Sequence, residues 1–334
     1  MNWGKGFSSK YIVTLVDPAT WGDSGEVEAT GGTIDRDITT ELLESASVNV
    51  KGSVGEQLIR IYLIASQNGE TVREALFTGL PTSPTRNITG QSEENSLDCY
   101  SVLKIADDIL LPLGYYAAAG SQGGQLIGRL LSDLPCKVTV REGSPALTNH
   151  IVAGDSDSKL KMAREIADAI DWVIRVDGRG EVYVEPKSST VAAGFDSQSA
   201  DVIEPRVTDS RDLFSVPNVL RVSMENSTAT ARDDDENSDY STVGRGREIW
   251  QSESVATLSD NESLGSYTMR RLKELQKPAR TLSYTRRFNP DVVPGSLVNI
   301  TYPRQGLSGL FRIQSQSIAL GANANTQETA IYEA

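Results

Sequence analysis

What the chain has little of narrows its nature first. Its two cysteines, Cys99 and Cys136, lie far apart in 334 residues. A disulfide framework is therefore not expected, and a reducing compartment is the natural setting. A single histidine, His150, argues against a histidine-based metal centre or a serine–histidine hydrolase. No apolar run approaches the roughly 20 residues that a membrane helix needs, so membrane insertion is not expected. The opening stretch, Met1 to Lys10, has no apolar core followed by a small-residue cleavage site, the pattern of a secretory leader. Aromatics make up 6% of the residues and the four tryptophans are scattered, which leaves no evident stacking platform for bases or sugars. A Gly-Lys-Ser/Thr phosphate loop is missing. Gly244-Arg245-Gly246-Arg247 is glycine-rich but lacks the strand–loop–helix setting of a phosphate cradle. No cofactor is expected.

What is present describes a soluble, folded chain. Hydrophobic residues are 38% and charged residues 23%, and the length allows two or three domains with sizeable cores. The net charge of −13 is unevenly spread. From Arg270 to Arg312 nine basic residues face two acids, Glu274 and Asp291, a local balance of +7 that leaves −20 for the rest. Arg270, Arg271, Arg280, Arg286 and Arg287 within it form a candidate basic surface. Two readings stay open: a face that meets an acidic partner or neighbouring subunit, and an ordinary solvated face.

The stretch from Asp155 to Pro186 organises the middle of the chain. Leu160, Ala163, Ile166, Ala167 and Ile170 recur at helical spacing, and Asp157 or Ser158 can cap the start, so the spacing predicts a helix over 158–171. Trp172 to Val176 and Glu181 to Glu185 alternate as two strands around Asp177-Gly178-Arg179-Gly180. A two-residue Asp177-Gly178 loop would set Ile174 opposite Glu181. A turn from Asp177 to Gly180 sets Val176 opposite Val182 and Ile174 opposite Val184, keeping one apolar face intact. The second register is expected.

Before this unit, residues 1–103 read as short strands: Tyr11–Val16, the alternation at Ala46, Val48 and Val50, and Leu58–Ile64. The last is apolar enough to be covered on both faces. Asn68-Gly69 signals a hairpin into Val72–Thr78, which Gly79, Pro81 and Pro84 end before Ser96–Val102. Residues 104–200 add short helices near 103–111 and 122–134, followed by the helix–hairpin. A loop or linker is expected over 188–198. Residues 201–334 return to strands, led by Pro217–Val222. Ser227–Val243, carrying Asp233-Asp234-Asp235-Glu236, reads as a mobile acidic surface loop. A helix over 261–277 follows, with Pro278 just after it. Strands are then expected at 281–288, 296–302, 310–320 and 327–332, turned at Asn289-Pro290 and Pro294-Gly295. Phe311 and Ile313 are odd-numbered while Ile318 and Leu320 are even, which predicts a bulge near Ser315.

Candidate chemistry is sparse. Asp233, Asp235, Asn237 and Asp239 mimic half of a calcium loop, but Ser238 stands where that loop needs glycine and Gly244 where it needs glutamate. No metal site is therefore expected. No carboxylate pair is singled out for glycoside hydrolysis. The fold class expected is α+β, mainly β, with domains at 1–103, 104–200 and 201–334.

The order of these signals resembles the tail hub proteins of tailed bacteriophages and contractile injection systems, the late-control-D-like group. The resemblance rests on Leu76-Phe77-Thr78-Gly79 with Leu97-Asp98-Cys99-Tyr100-Ser101, on the helix and hairpin from Ser158 to Glu185, and on Pro217-Asn218-Val219. Val293-Pro294-Gly295-Ser296-Leu297-Val298 and Gly309–Ile313 complete it. Related proteins often carry Asp after the Pro-Gly turn, where this chain has Ser296. The resemblance implies two tail-tube-like β-barrel domains flanking a small α+β middle, and a homotrimeric ring around the tail channel. It implies no enzymatic activity, no specific nucleic-acid binding and no cofactor. Its implied partners are a distal tail or tube protein, the tape measure, and a tip or spike protein. The expected location is the virion, at a tail tip or baseplate assembled in the host cytoplasm. Two alternatives remain: a glycan- or receptor-binding tip module, and a cell-wall hydrolase.

Overall fold

The computed structural model describes residues 1–51, 57–82, 85–90, 92–196, 206–212, 214–225, 227–277 and 280–333. Pro84, Pro278 and the expected boundary near residue 200 lie outside the described residues.

Seven strands form the first third: β1 (Ser8–Val16), β2 (Asp23–Asp37), β3 (Glu44–Lys51), β4 (Ile59–Gln67), β5 (Glu70–Pro81), β6 (Thr85–Thr89) and β7 (Ser92–Ser101). Six of them pair in the order β1-β4-β5-β7-β3-β2, and β1 also pairs with β2, so the hydrogen-bonded circuit returns to its starting strand. Alternation explains the interior: Ala46, Val48 and Val50 of β3 point one way into a core with Val13, Ile34 and Leu97. Ile59, Arg60, Ile61, Tyr62 and Leu63 are all buried, so β4 is covered on both faces as its composition predicts. Asn68 and Gly69 take φ of 52° and 85°, the pair of left-handed positions that a two-residue hairpin turn demands. The 15-residue β2 was not anticipated. Its sequence, DSGEVEATGGTIDRD, carries too little apolar signal.

The middle part holds α1 (Lys104–Asp107), β8 (Tyr116–Ala117), α2 (Gly123–Leu130), β9 (Val138–Val140), β10 (Ile151–Val152), α3 (Lys159–Ala169), β11 (Trp172–Val176) and β12 (Val182–Pro186). Ser158 caps α3, its Oγ accepting from Lys161 N at 3.0 Å. The faces predicted from spacing, Leu126, Ile127 and Leu130 on α2 and Leu160, Ala163 and Ile166 on α3, share one core with Val182 and Val184. The hairpin pairs Val176 with Val182 and Ile174 with Val184, the expected register.

The last third contains β13 (Val191–Asp196), β14 (Thr208–Arg211), β15 (Val219–Met224), β16 (Ser227–Arg232), α4 (Thr242–Arg245), β17 (Trp250–Ser254) and α5 (Leu264–Gln276). These are followed by β18 (Arg280–Arg286), β19 (Leu297–Tyr302), β20 (Leu307–Ala319) and β21 (Thr326–Tyr332). Two expectations are corrected here. Residues 191–196, expected in a loop, form β13 and pair in parallel with β19. The stretch Ser227–Val243 is not one loop: Ser227–Arg232 pairs with β15, and α4 begins at Thr242. That three-stranded sheet, β16-β15-β17, buries Leu220, Val222 and Ala231 against Leu272 of α5.

Strand β20 joins the two ends of the chain. Leu307–Arg312 pairs with β19, whereas Ser315–Ala319 pairs with β2. Its pairing with β21 shifts between Ile313 and Ser315, the bulge that the phase of its apolar residues predicts. The bulge turns the strand from one core to another. Phe311 and Ile313 pack with Leu282, Val298 and Ile300, while Ile318 packs with Ile34 and Val48.

Candidate functional site

The three parts meet at the tip of the β11–β12 hairpin. Asp177 Oδ1 accepts from the amides of Arg179 and Glu181, each at 2.9 Å, and Gly180 N donates to Asp177 O at 2.8 Å with φ of 75°. This turn sets the register and also docks on the first third. Arg179 O accepts from Trp21 Nε1 at 2.9 Å and from Arg60 Nη2 at 3.1 Å, and Gly178 O accepts from Thr78 Oγ1 at 2.9 Å. A Cβ on Gly178 would stand 1.8 Å from Ala75 O, so only glycine allows this approach. Arg60, itself buried, pairs with Asp23 at 2.6 Å. The docking goes through the backbone carbonyls of Gly178 and Arg179, which composition does not reveal.

Beside the tip lies a cleft of about 570 Å³. Arg36, Glu44 and Glu74 line it from the first third, Asp168 and Trp172 from the middle, and Phe288 from the last third, beside the Pro294-Gly295 turn. Gly295 has φ of 89° and Ser296 N donates to Val293 O at 2.9 Å, a turn that needs a left-handed third residue. Glu44 is 5% exposed. Its Oε2 stands 3.5 Å from Arg36 Nε, and its Oε1 has no hydrogen-bond partner. Burial, opposed by Arg36 and reinforced by Asp177, pushes the Glu44 carboxyl up to about 8. The same burial lowers Arg36, whose Nη2 donates to Leu76 O. Neither residue stood out in the sequence. One signal was there: Arg36 and Glu44 sit at inward-alternating positions of their strands, where a charge needs a partner.

The expected basic surface is mostly committed inside the chain. Arg286 is a correction: it is wholly buried, with Nη2 at 2.5 Å and Nε at 2.9 Å from the two oxygens of Glu328, also wholly buried. Its strand alternates inward at that position, and Glu328 on the neighbouring β21 neutralises it. Arg270 forms a fork on Glu262 at 2.8 Å to each oxygen and reaches Glu274 at 2.9 Å. Hydrogen bonding to Glu262 holds its guanidinium more strongly charged than usual. Arg271 makes a fork on Glu253 at 2.9 and 3.2 Å, and Arg280 one on Asp209 at 3.2 Å twice. Arg287 is half-buried and donates to Gly4 O at 3.4 Å.

The acidic run is also tied in. Asp233 Oδ2 accepts from Ser238 Oγ at 2.6 Å and from Gln276 Nε2 at 3.1 Å. Asp234 pairs with Arg232 at 2.7 Å and accepts from Thr242 Oγ1, bonds that hold its carboxyl below the usual range. Asp235 Oδ1 accepts from Asn237 N at 2.9 Å, and Glu236 is exposed. Among the described residues no group of three or more Cys, His, Asp or Glu is placed to hold a metal ion. Among them, too, no helix is long and apolar enough to cross a membrane.

This fold matches solved tail proteins over almost its whole length. A tail protein from Neisseria meningitidis MC58 superimposes with a TM-score of 0.70 at 14% identity, covering 98% of this chain and 97% of that one. The 43 kDa tail protein of prophage MuSo2 from Shewanella oneidensis gives 0.69 at 11% identity, with the same coverage. An E. coli type VI secretion component, described as structurally similar to the T4 bacteriophage tail proteins gp27 and gp5, gives 0.50 at 9% identity over 92% of this chain and 75% of that one. No protein-family model matches the chain, and no curated protein matches it. The chain thus has the fold of phage tail and baseplate-hub-like proteins.

Proposed function

We propose that the protein is a structural hub of a phage tail tip or baseplate. In this reading it forms a homotrimeric ring around the tail channel, between a sixfold tube and a threefold tip. The observation that carries the proposal is a fold shared end to end with tail proteins. Two features of the chain support the ring. Within one 13-stranded sheet, this reading takes the closed circuit β1-β4-β5-β7-β3-β2 as one barrel module and the open path β13-β19-β20-β21-β18-β14 as the second. Two such modules per chain, taken three times, give the six similar surfaces that a sixfold tube presents. β20 runs continuously from β19 to β2, which ties the two modules into one rigid piece in this reading.

The charge agrees with a conduit for DNA. A net −13 repels phosphate, and four of the five arginines of the basic stretch are held in ion-pair forks by the chain's own carboxylates. The partners in this reading are tail proteins: a distal tail or tube protein, the tape measure, and a tip or spike protein. Assembly takes place in the host cytoplasm, no catalysis is involved, and the chain divides at about residues 103 and 200. Light scattering and negative-stain images of the purified protein, alone and mixed with its tube protein, test the ring. A particle of three times the 36.1 kDa chain mass with threefold views supports it. A particle that stays monomeric in both conditions overturns it.

A further inference from the structure

The cleft beside the hairpin tip is lined by a buried carboxyl, Glu44, with one oxygen left unpartnered. Five carboxyl side chains line the cleft: Glu44, Glu74, Asp168, Asp177 and Glu185, the last two held by hydrogen bonds within the hairpin. Among the described residues the Glu74 and Asp168 carboxyls accept no hydrogen bond, and Glu44 has only the long contact from Arg36. The cations around them are engaged elsewhere. Arg164 donates to the carbonyls of Thr40 and Glu41 at 2.9 and 3.0 Å, Arg175 to Glu185 at 3.0 Å, Lys187 to Asp171 at 2.5 Å, and Arg312 to Glu333 at 2.8 Å. Arg36 alone faces Glu44, at a long 3.5 Å and on one oxygen only. The other oxygen, Oε1, is buried and unpartnered, an arrangement that costs free energy unless something supplies a donor.

We propose that this cleft binds an organic cation, a guanidinium or primary ammonium on a short aliphatic stem, which donates to Glu44 Oε1. A bare metal ion does not fit, because the cleft is about 570 Å³ and no three carboxylates converge in it. The lining suits an aliphatic stem: Leu43, Trp172 and Phe288 offer apolar surface. Glu74 is half-buried and adds a second negative group. Asp168 is exposed at the rim and counts least.

Protonation supports the same assignment. Burial raises Glu44 against the opposing charge of Arg36, and raises half-buried Glu74 against Arg179 and Arg36, so the chain's own cations compensate their charged forms only in part. The groups facing Glu44 are Arg36 from β2 and Asp177 from the hairpin, and Glu74 of β5 faces Arg36. A bound cation stabilises the carboxylate form of Glu44, so the protonated carboxyl releases its proton to solvent on binding.

Calorimetric titration tests the site with two probes, spermidine and N-acetyl-arginine amide, in buffers of different ionisation enthalpy. The expected result is saturable one-site binding with roughly one proton released per cation at pH 7, given a carboxyl at about 8. Glu44→Gln should weaken binding at least tenfold. Stronger binding of spermidine identifies a free polyamine as the ligand, and stronger binding of the arginine probe identifies a basic side chain of a partner polypeptide. Failure of both probes to bind, equal binding to Glu44→Gln, or binding without proton release overturns the proposal. The proton count is read on the unmodified protein, so it stands even if the variant misfolds. None of these outcomes depends on the ring.

Discussion

Arg286 and Glu328 form an ion pair with neither side chain reaching solvent, joined by two hydrogen bonds of 2.5 and 2.9 Å, and Gln316 Nε2 adds a third to Glu328 at 2.5 Å. Such a pair is expensive to break and cheap to replace. Taking one partner away leaves an uncompensated buried charge, at a cost of about 3–5 kcal/mol. Glu328→Ala should lower stability by that amount in urea denaturation. The double variant Arg286→Met with Glu328→Leu should recover most of it. Additive losses would mean that the two residues act separately.

The docking of the hairpin rests on Gly178. Gly178→Ala drives its Cβ into Ala75 O, so the tip must lift from the first third. A loss of about 1–3 kcal/mol is expected, with faster proteolysis at the hairpin. Gly265 is the contrast. It lies exposed in α5 with nothing nearer than 4.0 Å, so Gly265→Ala should stabilise by about 0.5–1 kcal/mol.

Glu44 makes stability depend on pH. Its carboxyl titrates at about 8 in the folded chain against 4.5 ordinarily, so between those values the folded state holds the extra proton. Stability from this group is complete below pH 4.5 and falls as pH rises to 8, with a slope approaching about 1.4 kcal/mol per unit. Glu44→Gln should flatten that part of the profile. Thermal unfolding across pH 4–9 checks it.

The cap of α3 is a smaller, local term. Ser158→Ala removes the acceptor for Lys161 N and should cost about 1 kcal/mol, restored by Ser158→Thr, which keeps the hydroxyl that also donates to Asp107. Denaturant midpoints of the three proteins measure it.

Local signals were legible where they carried their own geometry. Asp177 and Gly180 define one turn, and together with the Val176 and Val182 alternation they leave only one register that buries a single face. The odd-to-even slip from Ile313 to Ile318 likewise marks a bulge without any knowledge of the partner strand. Distance hid the rest. Arg286 looks like surface until Glu328, 42 residues on, appears beside it. Glu44 and Glu74 line one cleft only because β2, β3 and β5 converge there with the hairpin. β16 was missed because Ser227–Arg232 is polar, and its inward Ala231 gives too weak an alternation.

Electron cryomicroscopy of tail particles from the strain that encodes this chain tests the hub directly. The account predicts three copies at the distal tip, encircling the channel, with the β1–β7 and β13–β21 modules alternating around the ring. Copies repeated along the tube, or their absence from intact particles, would contradict it.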